Sequence, residues 1–161
     1  MARKKRVSVF VSYSHRDSAL KDDIVGALNA WSVTRRGTVW CDGGIVPGQE
    51  WEPQILRALK EASVILLLVS VDFLNSAFIR RQELAEAMRR HNLGTAMIIP
   101  VLLRTVPFFD RYPFGKLQAL PSNKRPVEKW RRRADACGDI IQGVDRAVED
   151  LLKSAHTRVR S

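Results

Sequence analysis

The sequence predicts an α/β domain built on a parallel sheet with helices on both faces. Two observations carry this. Strand-length segments alternate with segments of helical periodicity along the whole chain, the pattern that βαβ crossovers leave. The most apolar segments, 63–70 (SVILLLVS) and 96–103 (AMIIPVLL), are apolar at nearly every position rather than at every second one. A strand reads this way when both of its faces are covered, as in a parallel sheet.

The elements follow in order. Residues 7–11 (VSVFV) are short, β-branched and aromatic, a buried first strand. Asp17 or Ser18 is placed to cap the next helix, in which Leu20, Ile24, Ala27, Leu28 and Trp31 recur at helical spacing. Residues 38–41 (TVWC) form a second strand, and 42–49 (DGGIVPGQ) a glycine-rich loop. Trp51, Ile55, Leu59 and Ala62 mark a second helix, with Pro53 tolerated in its first turn. After the third strand, 72–76 is a connection, and 77–91 a third helix with Leu84, Ala87 and Met88 inward. Pro100 removes one ladder donor from the fourth strand, which sets that strand near an edge. Residues 105–123 hold three prolines and read as irregular, 124–127 as a short fifth strand, 139–152 as a final helix, and 156–161 as a frayed tail. The expected organisation is a basic extension at 1–6, one domain over 7–153, and a basic tail or start of a linker at 154–161.

Composition narrows the function classes. A chain of 161 residues with 45% hydrophobic content suits one packed domain that needs no staple. No apolar run approaches the roughly 20 residues of a membrane span, and the basic start lacks the apolar segment of a signal peptide. Two cysteines, Cys41 and Cys137, make no disulfide framework, so the expected compartment is the reducing cytoplasm. The three histidines lack metal-ligand spacing, so no metal is expected. The net charge of +10 would suit an anionic partner. Yet the basic residues lie in small groups without a nucleic-acid module, and nucleic acid is not expected to be bound directly. The turn after strand one has neither the paired acids of a receiver domain nor the glycine-rich phosphate loop of a flavodoxin, and no Walker or dinucleotide fingerprint occurs elsewhere.

Three segments stand in an order and spacing that resemble the TIR (Toll/interleukin-1 receptor) family, in its bacterial form. Phe10-Val11-Ser12-Tyr13-Ser14-His15-Arg16-Asp17 resembles the family's first box. Asp42 through Pro47-Gly48 to Trp51 resembles the BB loop after strand two. Ser70, Asp72, Phe73, Leu74 and Ser76, followed by Glu83-Leu84, resemble the segment that sets the family's catalytic glutamate on its third helix. Leu120-Pro121 and Val127-Glu128-Lys129-Trp130 are similar to its last strand region. The likeness runs over about 6–153. It implies a three-layer, flavodoxin-like fold with a central five-stranded parallel sheet.

The resemblance also implies a reaction, cleavage of the nicotinamide–ribose bond of NAD⁺, with NAD⁺ as substrate and no separate cofactor. The residue it implicates as catalytic is Glu83. One helical step of roughly 100° from inward-facing Leu84 puts Glu83 at the border of the buried face. The plain alternative is a solvated glutamate paired with Arg80, and Glu86, one turn on, is a substitute. The implied substrate-binding residues are Tyr13, Ser14, His15, Arg16, Asp42, Trp51, Ser76 and Ile79. Four of these also have an ordinary reading: His15 as a loop histidine, Asp42 as a turn former, Trp51 as core, Ser76 as a helix cap. Many active relatives carry an aromatic where Ile79 stands, and an isoleucine cannot stack on a ring. Gly43, Gly44, Ile45, Val46, Pro47 and Gly48 are the implied interaction loop, through which other TIR domains would join in a homo-oligomer. A sensor domain or protein would complete an immune effector. The alternative is a non-catalytic module that only binds other TIR domains, since one fold serves both.

Overall fold

The computed structural model describes residues 6–41, 51–75 and 82–160, with the side chains of 51–53, 82–83 and 155–160 outside the description. Four strands, β1 (Ser8–Ser12), β2 (Thr38–Cys41), β3 (Val64–Val69) and β4 (Met97–Leu102), alternate with helices. The helices are α1 (Ser18–Arg35), α2 (Trp51–Glu61), the one-turn α3 (Val71–Leu74), α4 (Gln82–Asn92) and α5 (Arg133–Arg160). All strand pairings are parallel, in the order β2-β1-β3-β4. The three-layer parallel fold is therefore the expected one.

Period-two alternation sorts the strand side chains into two cores. Val9 and Val11, Leu66 and Leu68, and Ile99 and Val101 face α1 and α5, where Leu20, Ile24, Leu28, Ile140, Val144 and Val148 meet them. Phe10, Ile65, Leu67, Val69 and Ile98 face α2 and α4, against Ile55, Leu59, Leu84 and Ala87. Every residue of β3 is buried, because it lies between two strands and two helical layers. That accounts for its unbroken apolar run.

The expected fifth strand at 124–127 is corrected. Among the described residues the sheet has four strands, and Val127–Lys129 is a 3₁₀ turn. A single residue, Leu120, occupies the fifth position. It bridges Val101 in parallel, donating to the Pro100 carbonyl and accepting from the Leu102 amide, both at 2.8 Å. Pro121 follows and has no amide to donate, so the ladder stops there. β4 is accordingly the last full strand on its side, as Pro100 suggested.

The helix bounds differ as well. Residues 71–74 form a turn of helix where a plain connection was expected. Helix α5 begins at Arg133 rather than 139 and stays helical through Arg160, where a frayed tail was expected. Of the expected third helix, 77–91, the part before Gln82 lies outside the described residues.

Candidate functional site

The strand order fixes where a ligand would sit. From β1 the chain crosses outward to β2, then returns past β1 to β3 and on to β4. The direction reverses between β1 and β3. Loops leaving the carboxyl ends of two such strands part to opposite sides and leave a crevice. Two segments border it: 13–17, which leaves β1, and the segment from Ser70 into α3, which leaves β3.

The first segment is tightly wound. His15–Asp17 is a 3₁₀ turn, closed by the Asp17 amide on the Ser14 carbonyl at 2.8 Å and by the Arg16 amide on Ser14 Oγ. Tyr13 is buried, with the His15 ring edge-on at 5.7 Å and the Lys21 ammonium 4.8 Å from its centroid. The Lys21 pKa is held above its ordinary value, chiefly by hydrogen bonding to Asp22. His15 and Arg16 are exposed. Arg16 approaches Asp72 at 3.7 Å with 82% of its side chain in solvent. So exposed a pair is weak, which leaves the guanidinium available to an anion.

Beneath this turn lies a charged node. The Asp17 side chain is 0% exposed. Its Oδ2 accepts the Ser70 hydroxyl, and its Oδ1 accepts Arg104 Nε at 2.9 Å. Ser70 Oγ in turn accepts the Phe73 amide at 3.0 Å, capping α3. Arg104 also donates from Nη1 to Glu128 at 3.2 Å, and the other Glu128 oxygen accepts the Thr105 amide. Hydrogen bonding to the buried carboxylate is the main cause that raises the Arg104 pKa. A buried carboxylate is tolerated only when its lone pairs are met in this way.

A family model of the TIR domain matches residues 9–135. The chain belongs to the TIR domain family. It is 34% identical over 150 residues to the uncharacterized protein y4lF of Sinorhizobium fredii, an alignment covering 92% of this chain and 46% of that one. The TIR chain thus spans about half the length of the curated relative it matches.

Within this TIR domain the implicated residues fall into three groups. Tyr13, Ser14, His15 and Arg16 share the turn after β1. Glu83 and Trp51 lie in the first turns of α4 and α2, with their side chains outside the described residues. Asp42, the loop residues 43–48, Ser76 and Ile79 also lie outside the described residues. The substitute, Glu86, is engaged elsewhere: both its oxygens accept from Arg89, at 2.7 and 2.9 Å, which lowers its pKa.

Asp17, the last residue of the first box and a possible helix cap, makes no side-chain capping bond and points into the node instead. Arg104 drew no attention in the sequence. Its only signal was a charge placed directly after a buried strand. Other basic groups are similarly absorbed. Arg90 is buried, with both terminal nitrogens on the Leu59 and Thr95 carbonyls. Arg35 bridges from α1 to Asp145 and Glu149 on α5. Among the described residues no group of three or more His, Cys, Asp or Glu could hold a metal, and no helix is long and apolar enough to cross a membrane.

Proposed function

We propose that this TIR domain cleaves the nicotinamide–ribose bond of NAD⁺, with Glu83 as the catalytic carboxylate. The observation that supports it is the meeting of the turn 13–17 with the segment from Ser70 into α3, joined through Asp17 and Ser70 at the switch point. Glu83 stands one residue before Leu84, whose side chain is buried.

The chemistry needs few groups. Nicotinamide in NAD⁺ is already cationic, so the C1′–N1 electron pair leaves with it and the product is neutral without a proton donor. An ordinary glycosidase needs a second carboxyl group to protonate its leaving alcohol. Here Glu83 stabilises the oxocarbenium-like charge on the ribose. Water, or a nucleophile on the same nucleotide, then takes C1′ and loses a proton, giving linear or cyclic ADP-ribose. Arg16, His15 and Ser14 supply phosphate and hydroxyl contacts, with Tyr13, Asp42, Trp51, Ser76 and Ile79 shaping the rest.

Self-association through 42–51 completes the cleft in this reading. A sensor is the further partner, and the greater length of the Sinorhizobium relative is where such a domain would lie. The setting is a cytoplasmic bacterial immune effector that depletes NAD⁺ or makes a nucleotide signal.

Product analysis after incubation with NAD⁺, with and without a crowding agent, tests this. Nicotinamide release that depends on assembly and is abolished in Glu83→Ala supports it. Release that survives the substitution removes Glu83 from the mechanism. Absence of release from assembled protein favours the second reading, a non-catalytic TIR–TIR adaptor. Ile79, where many active relatives carry an aromatic, is the observation on that side.

A further inference from the structure

The carboxylate of Asp17 is the one fully buried charge among the described residues that the proposed chemistry leaves unused. It and its two partners come from three strand ends. Asp17 follows β1, Ser70 follows β3 and Arg104 follows β4. Each carboxylate oxygen takes one donor: Ser70 Oγ on Oδ2, Arg104 Nε on Oδ1. The same aspartate closes the turn 14–17 through its own amide, and the same serine hydroxyl starts α3 by accepting from Phe73. Neither segment can shift without breaking a charge-assisted bond in a dry site.

We infer that Asp17, Ser70 and Arg104 form a positioning clamp that holds the substrate-facing turn 13–16 in register with the chain that carries Glu83. The inference rests on the NAD⁺-cleavage reading for its consequence, and on geometry alone for its existence. Asp17 and Ser70 are buried out of reach of substrate, so they act through the segments they hold. Ion pairs buried only for stability are often replaced by apolar groups at no loss. This one lies between the two segments that border the crevice, where its effect is on relative placement. Arg104 is its adjustable member: 43% of the side chain is exposed, and its outer side is braced by Glu128.

The test uses the whole chain and four forms: wild type, Ser70→Ala, Arg104→Gln and Arg104→Lys. Ser70→Ala keeps the Asp17–Arg104 pair, so it remains informative if loss of the arginine prevents folding. Hydrogen exchange is read in peptides covering 13–18, α3 and the first turn of α4, against peptides from β4 and α5. Nicotinamide release from assembled protein gives kcat and KM. The clamp predicts that Ser70→Ala and Arg104→Gln speed exchange in the first set and leave β4 and α5 within about threefold of wild type. It predicts a fall of about 10- to 100-fold in kcat with KM nearly unchanged, since small misplacement acts on the reacting geometry. Arg104→Lys restores part of the loss.

Exchange that rises evenly over the domain, or not at all near 71–75, overturns the clamp. So does local exchange with unchanged kcat, which would make the node structural only. If assembled wild type releases no nicotinamide, the NAD⁺ reading fails. The exchange result then decides alone whether the node couples the two segments.

Discussion

Removing a cation that sits on main-chain carbonyls leaves those carbonyls unmet, whereas removing one from water does not. Arg89 and Arg90, adjacent in sequence, separate the two cases. Arg90→Met strips the buried Leu59 carbonyl of its donor, while the exposed Thr95 carbonyl can turn to water. It is expected to cost about 1–3 kcal/mol, the usual penalty for a buried polar group left unpaired. Arg89→Met removes only a solvated partner of Glu86 and is expected to leave Tm close to wild type. Thermal unfolding of both variants checks the contrast. Asp145 gives a pH prediction. Its carboxyl lies below the ordinary 3.8, first because the Trp31 indole donates to it and then because Arg35 does. A depressed acid stabilises the fold above its unfolded value, and that stabilisation is lost as pH falls through the folded one. Asp145→Asn is therefore expected to lower the urea midpoint at neutral pH. The gap from wild type should narrow below about pH 3.5. A gap that stays constant with pH would mean that the indole and guanidinium contacts add nothing specific to the ionised form.

At the scale of elements, the glycines divide by what surrounds them. Gly37 follows Arg36, whose φ of 51° ends α1 in a left-handed turn. A Cβ at Gly37 would lie 2.7 Å from the Val7 carbonyl oxygen, the acceptor that seats Thr38 at the start of β2. Gly37→Ala is expected to destabilise by about 1–3 kcal/mol, as overpacking does. Gly26 in α1 and Gly138 in α5 have nothing within 4 Å of such a Cβ. Gly26→Ala and Gly138→Ala are expected to stabilise by about 0.5–1 kcal/mol each. Urea denaturation of the three variants reads both signs. The elements legible in the sequence were those whose periodicity is set by burial: β3, β4, α1 and α2 stand close to their expected places. The fifth strand was not legible. Its one bridging residue, Leu120, is chosen by tertiary fit against Val101 and Gly143, where a Cβ would meet the leucine side chain. The early start of α5 was missed because 133–138 (RADACG) carries almost no apolar stripe, although Ala136 and Cys137 are buried.

For the molecule as a whole, nicotinamide release is expected to rise faster than linearly with protein concentration, because the proposed cleft is completed by a neighbour. Rate measured against concentration, beside light scattering, checks this. A rate per mole that is flat across the assembly transition would place the complete site within one chain. The turn after β1 was legible as a site because ligands of open parallel sheets gather there. The node beneath it was not, because Asp17, Ser70, Arg104 and Glu128 meet only once three strand ends and a 3₁₀ turn have been brought together. The same long-range economy governs the two cores. The layer on one face of the sheet is closed by α1 and α5, which pack together through Ile24, Leu28, Ile140 and Val144, with Arg35 tied to Asp145. During synthesis, α1 leaves the ribosome more than a hundred residues before its cover does. Until then Leu20, Ile24 and Leu28 remain open to water or to a chaperone, and the nascent chain stays exposed to proteases on that flank. Nascent chains arrested before α5 should be cut within α1, and those released after residue 150 should resist.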